Sequence, residues 1–127
     1  MIVDTSALVA VLRAEPDAPA FATALRAAET VRVSSATVLE ASIVLGPTRH
    51  GDLDALLSGI GATVDALDQH QALVARQAYA RFGKGSGSPA RLNLGDTFSY
   101  ALAKVSGEPL LFKGHDFTHT DVEPAPR

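Results

Sequence analysis

The stretch Met1-Ile2-Val3-Asp4-Thr5-Ser6-Ala7-Leu8 constrains the fold more than any other part of this chain. Ile2 and Val3 suit a buried strand, but a buried carboxylate is costly unless it is paired or hydrogen-bonded, so Asp4 belongs where that strand ends. In open α/β sheets that edge carries the chemistry. Thr5 and Ser6 supply hydroxyls able to cap a helix over Ala7 to Leu12, giving a unit of strand, acidic turn and helix. Taken alone, Asp4 reads equally well as that helix's cap.

The 127 residues suffice for one domain, 1–127, that buries roughly two thirds of its unfolded surface. No run is long and apolar enough to span a bilayer, and no basic segment precedes an apolar one at the start, so a cytoplasmic protein is expected. The absence of cysteine excludes disulfides, thiolate metal sites and a cysteine nucleophile. Eleven Lys and Arg against 14 Asp and Glu give a net charge of −3, which argues against nucleic-acid binding by a broad basic face. A nucleic-acid enzyme remains compatible with that balance, because carboxylates that hold cations lower the formal charge while the bound ions restore positive potential.

Glu15-Pro16-Asp17 ends the first helix, and Asp17 is placed to cap a second that runs to about Glu29 with Phe21, Leu25 and Ala28 inward. Thr30 to Ser34 alternates and is β-branched, the mark of a second strand. A helix from Ser35, with Val38, Leu39 and Ile43 inward, stops at Gly46-Pro47. A short helix spans Gly51 to Gly61, and Ala62 to Leu67 reads as a third strand. Asp68 caps a helix carrying Leu73, Ala75, Tyr79 and Phe82. After the flexible loop Gly83 to Pro89 comes a helix from Leu94 to about Val105, with Leu94, Phe98, Ala101, Leu102 and Val105 inward. Glu108 to Phe112 is the fourth strand, and the tail from Asp121 adds a short edge strand before its prolines. Strands alternating with helices imply an α/β domain, a parallel sheet of four to five strands with helices on both faces.

Four carboxylates fall at element boundaries. Asp4 follows the first strand; Glu40 lies in the first turns after the second, with Thr37 at capping-box spacing from it. Asp96 sits three residues beyond Asn93 at a helix start, and Asp116 follows the fourth strand. Each has a local explanation as a cap or as a charge favoured at a helix N-terminus. In a parallel sheet with right-handed crossovers, however, Asp4, Glu40 and Asp116 share the C-terminal edge, and Asp96 joins them if its helix starts there. Such a group takes up protons unless divalent cations compensate it, and all-oxygen ligands favour magnesium or manganese over zinc.

These segments, with Asn93-Leu94-Gly95-Asp96 and Leu111-Phe112-Lys113-Gly114-His115-Asp116-Phe117, resemble a PIN-domain ribonuclease. More narrowly, essentially the whole chain is similar to the VapC toxins of bacterial toxin-antitoxin pairs. The resemblance implies that Asp4, Glu40, Asp96 and Asp116 form the catalytic, metal-holding site, that Ser6 supports it, and that the substrate is RNA. Thr120 and Asp121 fit the same pattern as further supports. It also implies a homodimer and a cognate VapB-type antitoxin, for which the alanine-rich first two helices offer a surface.

The expected reaction is phosphodiester hydrolysis assisted by one or two Mg2+ or Mn2+ ions, about 4 Å apart if paired. Asp4 and Asp96 are the expected direct ligands, while Glu40 and Asp116 ligate, hold water or orient the nucleophile. Lys84, Arg91 and Lys113 are candidate phosphate contacts, with Lys84 and Arg91 favoured by a loop that leads to Asp96; Lys104 reads as a solvated charge. Three readings compete. His115 and His119 flank Asp116 and could serve as an acid-base pair, whereas His50 and His70 lack such a setting. A phosphatase or phosphotransfer domain would use Asp4 as nucleophile and need a late lysine such as Lys113. An interaction module would keep the fold without the metal.

Overall fold

The computed structural model of residues 1–127 is organised on a four-stranded, all-parallel sheet in the order β3-β2-β1-β4. The strands are β1 (Ile2–Val3), β2 (Arg32–Ser34), β3 (Thr63–Asp65) and β4 (Leu110–Leu111). Six helices connect them: α1 (Thr5–Leu12), α2 (Ala18–Ala27), α3 (Ser35–Leu45), α4 (His50–Gly59), α5 (Gln69–Phe82) and α6 (Leu94–Ser106). The single α/β domain expected from the sequence is therefore observed. β1 is an inner strand, with Ile2 opposite both Arg32 and Leu110. From β1 the chain winds outward to β3 and then returns to place β4 on β1's free side, so the reversal point lies between β1 and β4.

The strands alternate between two cores, as the period of two requires. Val3, Val33 and Leu111 point into one cluster with Leu8, Phe21, Leu25, Leu53 and Leu57 from α1, α2 and α4. Ile2, Leu110 and Phe112 point into the other with Phe82, Tyr100 and Leu102 from α5 and α6. The tail forms a single bridge rather than a strand: Leu110 N–H donates to the Glu123 carbonyl and Ala125 N–H to the Leu110 carbonyl, both at 2.8 Å. Pro124 and Pro126 have no N–H with which to extend it.

Several expectations about helix faces are corrected. On α3, Leu39 and Ile43 are 61% and 72% exposed, and the buried positions are Thr37 and Ala41. Apolar residues lie all around this helix, so periodicity does not choose a face; Thr37 is buried against Ser99 of α6, and Ala41 in the cluster that includes α1. On α6 the expected Ala101 and Leu102 are buried, together with Thr97, Ser99, Tyr100 and Ala103, but Leu94 and Val105 are exposed. Leu73 and Tyr79 of α5 are also exposed. Asp17 makes no capping bond, whereas Asp68 does, accepting from Gln71 N–H at 2.8 Å. The loop expected to be flexible is pinned at its base by Lys84 N–H to the Leu92 carbonyl and Leu92 N–H to the Phe82 carbonyl, both 3.0 Å, and by the buried Ala90 and Leu92.

Candidate active site

Asp4 leaves β1 with extended dihedrals and itself caps α1, its Oδ2 accepting from Ser6 N–H at 3.0 Å. The expectation that Thr5 or Ser6 would take over the cap is thus overturned. A carboxylate can cap with one oxygen and keep lone pairs on the other, so the structural and functional readings of Asp4 are compatible. The side chain is held from two sides: Ser6 Oγ donates to Oδ2 at 2.6 Å, and Ser99 Oγ donates to Oδ1 at 2.6 Å. Ser6 Oγ in turn accepts from Lys113 N–H at 2.9 Å, which ties the segment after β4 to the one after β1. Asp4 is only 2% exposed.

Glu40 reaches the same edge from the second turn of α3. Thr37 is not its capping partner, because Ser34 caps the helix through Ala36 N–H at 3.2 Å. Thr37 is instead buried with its Oγ1 3.3 Å from Ser99 Oγ. Thr5 Oγ1 donates to Glu40 Oε1 at 2.5 Å. Burial raises the Glu40 carboxyl above its ordinary value, the Thr5 bond opposes that rise, and the Asp4 charge adds to it. Asp96 occupies the third position of α6 in a reciprocal capping box: Asn93 Oδ1 accepts from Asp96 N–H at 3.0 Å, and Asp96 Oδ2 accepts from Asn93 N–H at 2.9 Å. Burial pushes this carboxyl up to about 7, against the Asn93 bond, and the charges of Asp4, Asp116 and Glu40 contribute further.

Asp4, Glu40 and Asp116 thus each act electrostatically on Asp96, and Asp116 lies exposed at the start of a 3-10 turn, Asp116–His119. A cleft of about 320 Å³ is lined by Asp4, Thr5, Ser6, Glu40, Asp96 and Lys113 among others. A larger apolar groove, about 820 Å³, lies between α2 and the chain's C-terminus and touches none of the four. None of the chain's ion pairs involves Asp4, Glu40, Asp96 or Asp116. The side-chain donors that reach Asp4 and Glu40 are the hydroxyls of Thr5, Ser6 and Ser99, not lysine or arginine.

No three acidic or imidazole side chains converge closely enough to enclose a cation directly. The donor set nevertheless suits a hard divalent ion, since it is all oxygen, uncompensated by protein cations and preoriented at Asp4. Magnesium is usually held by one or two carboxylates and keeps several waters, which such a spread arrangement accommodates.

The remaining expected residues divide. Thr120 Oγ1 donates to the Phe117 carbonyl at 2.7 Å and closes the 3-10 turn. Asp121 faces α6 and α5, accepting from Tyr100 Oη at 2.6 Å with Lys104 at 3.1 Å and Arg81 at 3.7 Å. Burial opposes its ionisation, but the Tyr100 and Lys104 bonds outweigh that and hold the carboxyl low. Lys104, read as a solvated charge, thus serves the tail. Lys113 is not a free cation: its ammonium sits 2.5 Å from Glu15 and 3.2 Å from Asp17. Lys84 and Arg91 are exposed on the loop before α6, and His115 and His119 are exposed beside Asp116. Sequence reasoning gave no role to Ser99 or Gly95 and read Thr37 only as a cap. Two hydroxyls on otherwise core-facing helix positions, Ser99 three residues past Asp96, were the available signal for Ser99 and Thr37.

An acidic cleft at the reversal point of a short parallel sheet, with α6 starting at the strand ends, is the arrangement of a PIN domain. The chain belongs to that family: its PIN-domain model matches residues 1–123. Within the family it is a close relative of the VapC ribonucleases. It is 50% identical over 129 residues to Ribonuclease VapC42 of Mycobacterium tuberculosis, covering 98% of each chain. Ribonuclease VapC28 of the same species is 51% identical over 129 residues, covering 98% of this chain and 97% of its own. The crystal structure of Mycobacterium tuberculosis VapC20, described as a Sarcin-Ricin loop cleaving toxin, superposes with a TM-score of 0.80 over 99% of this chain and 98% of that one. At 16% identity this last likeness concerns the fold.

Proposed function

We propose that this VapC-type ribonuclease is a toxin that hydrolyses RNA phosphodiester bonds with Mg2+ or Mn2+ at Asp4, Glu40, Asp96 and Asp116. The observation that carries the reading is a set of four carboxylates at the sheet's reversal point with no lysine or arginine to neutralise them. Asp4 and Asp96 would hold the ion, with Glu40 and Asp116 acting through its waters. A bound ion supplies an activated water and offsets charge on the leaving 3′ oxygen. Ser6 and Ser99 fix the Asp4 carboxylate before substrate arrives, so no reorganisation is needed at that residue. A cation held beside Asp96 would favour its ionised form. Glu40, half-buried and raised in pKa, is suited to accept a proton from a nearby water.

Such hydrolysis leaves a 5′ phosphate and makes no use of the ribose 2′ hydroxyl. The test maps RNA 5′ ends after induction of wild type and Asp4→Ala. New 5′-phosphate ends in the wild type alone support the reading, and 2′,3′-cyclic phosphate ends refute it. Lys84 and Arg91 are proposed to meet the RNA backbone.

A cognate antitoxin and a second copy of the chain complete the reading, in the cytoplasm. Leu39, Ile43, Val44 and Leu94 are all more than 40% exposed around a groove of about 470 Å³ that borders Glu40, a surface a partner would cover. No helix is long and apolar enough to cross a membrane.

A further inference from the structure

The close approach of α6 to Glu40 has no counterpart elsewhere at the site. A Cβ on Gly95 would fall 1.6 Å from Glu40 Oε2 and 2.2 Å from its Cδ, far inside any real contact. Gly95 is buried in the first turn of α6, and its φ lies outside the left-handed region, so its backbone does not require glycine. Within a helix, glycine is less favourable than alanine. The cost is explained by what occupies the missing side chain's place. Glu40 is clamped there, with Oε1 on the Thr5 hydroxyl and Oε2 over the bare Cα. Asp96, the next residue, carries the neighbouring carboxylate, and the Glu40 charge acts on it.

We infer that Gly95 is a positioning residue: its lack of a side chain seats the Glu40 carboxylate against the first turn of α6, beside Asp96 and facing Asp4. This rests on the proposed part of Glu40 in the acidic site. A methyl group at position 95 drives Glu40 off Thr5 and out towards solvent while leaving Asp4, Ser6 and Ser99 as they are. It acts on the site only through Glu40.

The experiment is a double-mutant cycle of Gly95→Ala and Glu40→Ala. It is read by thermal unfolding of the metal-free protein, by calorimetry with Mn2+ alone, and by cleavage of total bacterial RNA. Gly95→Ala is expected to weaken Mn2+ binding or cleavage about 10- to 100-fold, the usual effect of losing an outer support of a metal site. On the Glu40→Ala background it should cost nothing further. There it should also raise the melting temperature, because the helix gains alanine and the overlap is gone, whereas in the wild type it should not. A Gly95→Ala penalty that persists without Glu40 overturns the inference, since the glycine would then serve packing alone. If Glu40→Ala is impaired and Gly95→Ala is not, the reading of the site stands and this inference alone fails. If Glu40→Ala binds Mn2+ and cleaves like wild type, Glu40 has no part in the site and the inference falls with it. Should Gly95→Ala fail to fold, recovery of the fold in the double variant sustains the inference, and no recovery overturns it.

Discussion

Asp96→Asn should make the metal-free protein more stable at high pH while removing its response to metal. In the folded chain this carboxyl is held at about 7 against an ordinary value of 3.8. A group whose proton affinity rises on folding contributes stability that is intact below the unfolded pKa and is lost as pH rises through the folded one. The window here runs from about pH 4 to about pH 7. Each tenfold change in proton affinity corresponds to about 1.4 kcal/mol, which sets an upper bound of about 4 kcal/mol. The side chain retains some access to water, and halving the figure for that gives about 2 kcal/mol. Asparagine carries no charge at any pH in this window, and its Oδ1 can still accept from Asn93 N–H, the bond that completes the capping box at 2.9 Å. The assay is urea unfolding in EDTA between pH 4.5 and 8. The variant should gain on the wild type as pH rises, reaching about 2 kcal/mol or close to 8 °C in Tm. Saturating Mn2+ should reverse the order, because a ligand at a hundred times its Kd stabilises by about 2.7 kcal/mol and only the wild type binds it well. Parallel pH profiles, or a variant that loses stability at pH 8, would refute the electrostatic reasoning. An unreversed order in Mn2+ would refute the ligand role.

Removing the buried donor in Ser99→Ala leaves Asp4 Oδ1 without its 2.6 Å partner, so Mn2+ affinity measured by calorimetry should fall about 10- to 100-fold. Tyr100→Phe should cost about 1 kcal/mol in urea unfolding by freeing Asp121, with RNA cleavage unchanged because that pair lies outside the acidic cleft. Replacing the exposed Leu39 by lysine should leave the melting temperature of the isolated chain nearly unchanged but lower the mass of any dimer seen by light scattering.

The order of elements and the direction of the sheet were legible because each rests on a strong local rule. The pair Ile2-Val3 ends at Asp4, helices begin at Asn93 and Asp68, and Gly46-Pro47 stops α3. The face of α3 was not legible, and on α6 the expected Ala101 and Leu102 are buried while Leu94 and Val105 are not. Where α3 and α6 pass close together beside a buried carboxylate, Thr37 and Ser99 fit and Leu39 and Leu94 do not, so those apolar residues turn outward. The same closeness explains why the hydroxyls went unnoticed. Ser99 is polar among apolar neighbours, and only the three-dimensional approach of α6 to β1 supplies its acceptor. Asp4 shows the limit of treating cap and ligand as rivals: Ser6 and the α1 cap occupy Oδ2, and Ser99 directs Oδ1. The residue that begins α1 is thereby also the most firmly oriented carboxylate of the cleft. Folding and site assembly are for this residue one event, so a substitution that spares the cap but frees Oδ1 should separate them.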